Sequence, residues 1–96
     1  QQDPATGGWN HNPEGPNLPA ISGLVLTGML MDPVIDASDA SVRRGVEYVL
    51  GFAKEDGGIH DGLLPTYNTA ICVSMLTELH EPRAAEAVQR GIGLLR

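Results

Sequence analysis

Cys72, His60 and Asp61 supply the elements of a mixed zinc site. Zinc accepts thiolate, imidazole and carboxylate ligands in a tetrahedral set. The spacing, however, fixes no ligands on one face: there is no Cys-x-His or His-x₃-His pattern. Cys72 falls in an apolar helical run, where a lone thiol behaves as a small buried hydrophobe, and His60-Asp61 falls in a glycine-rich stretch that reads as a solvent-side loop. Neither metal nor cofactor is expected. Ser22, Ser41 and Ser74 have no histidine at a plausible local spacing, and no Gly-x-Ser-x-Gly is present. A phosphate-cradling Gly-Lys-Ser/Thr is also missing. Asp36-Ala-Ser-Asp39 sits where a helix should start, so its carboxylates are expected to satisfy free N–H groups. His11, within Trp9-Asn10-His11-Asn12, reads as a hydrogen-bonding loop residue. No catalytic residue is therefore expected in the chain.

The elements that would position these residues must come from 96 residues, enough for one small domain. With 42% apolar content the chain is too hydrophobic to be disordered. The formal charge of −6 argues against nucleic acid and anionic membrane surfaces as partners. One cysteine leaves no internal disulfide. The longest apolar stretch, Leu18 to Met31, is too short to cross a bilayer, which takes about 20 residues. Gln1-Gln2-Asp3-Pro4 has neither the basic head nor the apolar run of a signal peptide. The chain lacks an initiator Met and stops at Leu94-Leu95-Arg96 inside an apolar helical pattern, so a piece of a longer protein is expected.

Periodicity predicts four helices: Pro19 to Met31, Asp39 to Lys54, Thr66 to Leu79, and Pro82 to Arg96. Ser38 or Asp39 is placed to cap the second, and Thr66 the third. The second carries one apolar stripe of Val42, Val46, Val49 and Ala53, and the fourth one of Ala84, Ala85, Val88, Ile92 and Leu95. The first has no charge before Asp32, and the only charge of the third is Glu78, so both are apolar nearly all round. The order is inner, outer, inner, outer, which is how two layers of helical hairpins read.

The chain repeats itself. Gly7-Gly8-Trp9 recurs fifty residues on as Gly57-Gly58-Ile59, Ala20-Ile21 as Ala70-Ile71, and Leu26-Thr27 as Leu76-Thr77. Val42-Arg43-Arg44-Gly45-Val46 then recurs forty-six residues on as Val88-Gln89-Arg90-Gly91-Ile92, so the second copy has lost about four residues from its inter-helix loop. One repeat unit covers about 1–54 and a second about 55–96. Paired glycines permit positive φ and close backbone approach where outer helix turns to inner helix. Gly58 is expected to take the positive φ, and Trp9 to plug the junction.

Gln2 with Gly7-Gly8-Trp9 resembles the Gln…Gly-x-Trp repeat of squalene–hopene and oxidosqualene cyclases. Arg44-Gly45-x-x-Tyr48 followed by Asp56-Gly57-Gly58-Ile59 resembles a second, worn copy. Tyr67-Asn68-Thr69-Ala70-Ile71 is similar to the inner-helix start of the wider prenyltransferase and squalene-oxidase repeat superfamily. Gln2 fits only with one inserted residue, Ala53 stands at the second glutamine position, and Ile59 replaces the second Trp.

The resemblance implies an all-α chain forming two consecutive helical hairpins of an α/α toroid, with inner and outer helices alternating. It implies that Gln2, Gly7, Gly8, Trp9, Gly57, Gly58 and Ile59 brace neighbouring repeats and do no chemistry. It also implies a central space that Tyr67 and Asn68 would line. An acid-initiated cyclase needs an Asp-x-Asp-Asp run, which is not in this sequence. The expected partners are an apolar isoprenoid-type ligand and the remaining repeats of a parent chain, with self-association of the isolated fragment through uncovered apolar edges. The competing expectation is a non-catalytic scaffold or a protein- or lipid-binding module.

Overall fold

The computed structural model describes residues 2–35, 38–79 and 81–95. Its elements are α1 (Pro19–Leu30), α2 (Ala40–Leu50), α3 (Pro65–Leu76) and α4 (Pro82–Leu95). The described residues contain no strand, only two isolated bridges, Gln2 with Trp9 and Ala53 with Ile59. Among the described residues no helix is long and apolar enough to cross a membrane.

The two uncharged helices pack on each other, and each also packs on one amphipathic helix: α1 against α2, and α3 against α4. Leu26 of α1, Val42, Val46 and Val49 of α2, Cys72, Val73, Met75 and Leu76 of α3, and Ala84 of α4 form one buried cluster. The result is a slab of 35 × 31 × 17 Å. Its short dimension suits two layers of helices whose axes lie about 8–10 Å apart. Across the outer layer, Arg43 pairs with Glu81 at 2.6 Å and Glu47 pairs with Arg83. These side chains are largely exposed, so each pair adds at most about 1 kcal/mol. The linker from α1 to α2 spans nine residues and that from α3 to α4 five, which is the four-residue loss read from the repeat.

The helix ends differ from expectation for local reasons. Asp39 caps α2 by accepting from the Ser41 N–H at 2.9 Å, as expected; Asp36 lies outside the described residues. The second helix stops at Leu50 rather than Lys54. Phe52 and Ala53 N–H groups turn back to Val49 and Leu50, and Ala53 leaves the helix to bridge Ile59. Thr66 does not cap the third helix, because Pro65 already occupies the first turn, where its missing N–H costs nothing. Leu64, left-handed at φ 47°, is the capping position, held through its carbonyl by the Asn68 amide. The third helix gives way after Leu76 to two tighter bonds, Glu78 to Met75 and Leu79 to Leu76. The first ends at Leu30 rather than Met31, and the fourth runs to Leu95; Arg96 lies outside the described residues.

Candidate functional site

The two glycine pairs build two near-identical junctions, each joining a turn to an outer helix and an inner helix. In the first, Asp3 N–H donates to the Gly8 carbonyl at 2.7 Å, and Gly7 N–H to the Asp3 carbonyl at 2.8 Å. In the second, Lys54 N–H donates to the Gly58 carbonyl at 2.7 Å, and Gly57 N–H to the Lys54 carbonyl at 3.0 Å. Gly8 N–H is held by the Thr6 hydroxyl, and Gly58 N–H by the Asp56 carboxylate. Both bridges place Gln2 and Ala53 in the same relation to their turns, so the first turn carries one more residue than the second.

The positive φ falls on the first glycine of each pair, Gly7 at 86° and Gly57 at 99°, and not on Gly58 as expected. At both sites the turn also runs against an outer helix. A Cβ on Gly7 would lie 2.6 Å from the Arg44 carbonyl oxygen, and one on Gly57 would land on that of Arg90. At Gly58 a Cβ would lie 2.9 Å from the His60 ring, a side chain that can turn aside, so the stricter demand for glycine is at Gly57. The Arg44 and Arg90 side chains close the junctions by donating to the carbonyls of Pro4 and Glu55.

The two junctions differ in what fills them. The Gln2 side-chain amide donates to the Gly7 carbonyl and the Ser41 carbonyl of α2, each at 2.8 Å, pinning the turn to its outer helix. The Ala53 side chain has nothing to donate. Trp9 lies over Gly45, where a Cβ would sit 2.7 Å from its ring, so the small residue on α2 is what admits the indole. Ile59 is fully buried in the core and ties to α3 through its N–H on the Thr69 hydroxyl at 2.9 Å. Trp9 makes the corresponding link to α1 through the Ser22 hydroxyl, also at 2.9 Å.

Tyr67 and Asn68 part company. Tyr67 is half exposed on α3. Asn68 is fully buried and does not line an open space: its carbonyl oxygen accepts from Ala20 N–H of α1 at 2.8 Å, and its amide donates to the Leu63 and Leu64 carbonyls. A buried polar side chain survives only when satisfied, and Asn68 uses its capacity to tie one inner helix to the head of the other.

A second link between the units joins the loops before α1 and α3. The Asp61 carboxylate accepts from the backbone N–H of Asn17 at 2.7 Å and from its side-chain amide at 3.3 Å. The Asn17 N–H holds the Asp61 carboxyl below the usual range; burial opposes this, while the Asn17 amide, Lys54 and His11 add to it. His11 Nδ1 lies 2.9 Å from the Tyr48 hydroxyl, and Tyr48 meets Phe52 edge to face. Burial, then the carboxylates of Asp61 and Asp3, raises the Tyr48 phenol. Asn17 and Ser22 carried no signal in the sequence, because single polar residues before or inside apolar helices look like any others.

Cys72, His60 and Asp61 do not converge. Cys72 is buried where α1 meets α3, 3.6 Å from where a Cβ on Gly23 would stand, and burial pushes its thiol up to about 12. His60 accepts from Gly62 N–H within its own loop. Among the described residues no three His, Cys, Asp or Glu side chains gather closely enough to hold a metal ion.

The outward side of the inner pair remains. Leu24, Gly28 and Met31 follow one another along one side of α1 and its end, and Tyr67, Ala70, Ser74 and Thr77 along one side of α3 and its end; all seven are exposed. None carries a charge. No family model, curated protein or solved structure matches the chain.

Proposed function

We propose that this chain is two hairpins of an α/α toroid of the terpene cyclase, prenyltransferase and squalene-oxidase repeat type, and that its inner helices form part of the wall of a site for an apolar, isoprenoid-type ligand. The observation that supports this reading most is the uncharged exposed side of α1 and α3. A soluble helix normally keeps charge on its wet side, as α2 and α4 do, and a continuous uncharged face marks a surface meant to be covered. In this reading the segment supplies wall and bracing and no catalytic group. Further repeats of a parent chain would cover its edges, and the isolated chain would self-associate.

A second reading, a scaffold or binding module without catalysis, draws on a separate observation. Stabilising a carbocation takes aromatic faces. Of the four aromatic residues, Trp9, Tyr48 and Phe52 pack against the core, leaving Tyr67 alone exposed.

Titrating the ¹⁵N-labelled chain with farnesol tests the ligand reading. Shifts concentrated at Leu24, Gly28, Tyr67, Ala70 and Ser74 are the expected outcome. Shifts confined to α2 and α4, or none at saturation, would overturn it. Farnesyl diphosphate in a parallel titration tells a prenyl-chain site from a diphosphate site. Sedimentation equilibrium tests the edges: a monomer at the highest soluble concentration would contradict uncovered apolar faces.

A further inference from the structure

The junction that lacks its glutamine contains a cavity. It measures about 170 Å³ and is lined by Ala53, Gly57, Ala87, Leu50, Ile59 and Arg90. Three of these correspond to Gln2 itself and to the two residues that hold its amide in the first junction. Ala53 stands where Gln2 does, Gly57 where Gly7 does, and Ala87 where Ser41 does. The first junction therefore shows what chemistry this space accepts: a carboxamide whose NH₂ is shared between a turn carbonyl and an outer-helix carbonyl, each at 2.8 Å.

We propose that the cavity between the Gly57 turn and α4 is a binding site for a primary carboxamide, supplied by a glutamine side chain of another segment or by a free amide. Size supports this. The cavity is well below the roughly 300 Å³ of a drug-sized pocket but large enough for a side-chain group. Polarity supports it too. The walls from Leu50, Ala53 and Ile59 are apolar, and the groups equivalent to the Gln2 acceptors are backbone carbonyls, which reward an N–H donor. The rim also carries the charged side chains of Lys54, Arg83, Glu86 and Arg90, of which Arg90 donates to the Glu55 carbonyl and Arg83 pairs with Glu47. The inference rests on the repeat geometry alone and is independent of any isoprenoid role.

The test is an NMR titration of the whole ¹⁵N-labelled chain with propionamide, using butanone and propionate as controls of the same shape. Propionamide should shift the Gly57, Ile59 and Ala87 amides. Butanone lacks the donors and should bind about tenfold more weakly, the loss expected for about two modest hydrogen bonds. Blocked glutamine, N-acetyl-glutamine N-methylamide, separates the sources: binding at least as tight as propionamide favours a side chain, and exclusion favours a free amide. Ala53→Gln should abolish the response by filling the cavity from within. Should that variant not fold, Gln2→Ala decides: it opens the equivalent space in the first junction and should raise the stoichiometry from one to two. Equal binding of propionamide and butanone, tighter binding of propionate, or a response unchanged by Ala53→Gln would each overturn the proposal.

Discussion

The two glycine junctions solve one geometric problem with different side chains. Both need a left-handed glycine pressed against an outer-helix carbonyl, and both need an N–H on a hydroxyl of an inner helix. The first adds Gln2 and Trp9, so the turn is also tied to its outer helix by two side-chain bonds and a ring over Gly45. The second makes do with Ala53 and a fully buried Ile59. Backbone geometry is thus the shared requirement, and the glutamine and indole are additions that one junction folds without.

The sharpest way to break that comparison is at the shared element. Gly57→Val forces a β-branched residue into φ 99° and drives its Cβ into the Arg90 carbonyl. A loss of about 3 kcal/mol or more in urea unfolding is expected, and Gly7→Val should cost about as much. Asn68→Leu comes next. It strips the Ala20 N–H and the Leu63 and Leu64 carbonyls of a buried partner, for a loss of about 2–3 kcal/mol by the same measurement. Gln2→Ala removes two partly buried bonds and should cost about 1–2 kcal/mol, bringing the first junction down to the level of the second. No loss on Gln2→Ala would show that the turn holds itself.

Asp61→Asn is expected to have the smallest effect, and a pH-dependent one. The folded chain holds the Asp61 carboxyl below its ordinary value, chiefly through Asn17 N–H. The native state therefore binds that proton more weakly than the unfolded chain does. The resulting stability is present above the ordinary carboxylate pKa of about 4 and is lost as pH falls through the lower folded value. Melting temperatures of the parent and Asp61→Asn should differ at pH 6 and converge toward pH 2. A constant difference across that range would exclude the carboxylate charge as the cause.

The alternation of uncharged and one-sided helices was readable from charge placement alone, because Asp32 and Glu78 are the first charges after Pro19 and Thr66. The repeat was readable because both copies keep the glycine that the outer-helix carbonyl contact requires, Gly7 and Gly57. Which glycine of each pair turns left-handed was not readable, since both types of constraint select the same residue. Asn68 misled because a polar residue beside an aromatic at a helix head looks like a site; only the approach of the α1 N-terminus reveals its load. The end of α2 was hidden for a similar reason: Ala53 favours a helix, and its pairing with Ile59 across the turn overrides that preference.

Packing of α1 on α3 underlies all of this, and the single thiol of the chain lies in that contact. The rate of Cys72 alkylation by iodoacetamide in the native protein at pH 8 reports on it directly. Buried and held as a thiol up to about 12, Cys72 should react only as fast as the protein unfolds, and fully in urea. Native alkylation at the rate of a free cysteine would mean that the two uncharged helices do not pack together, and the account would fail.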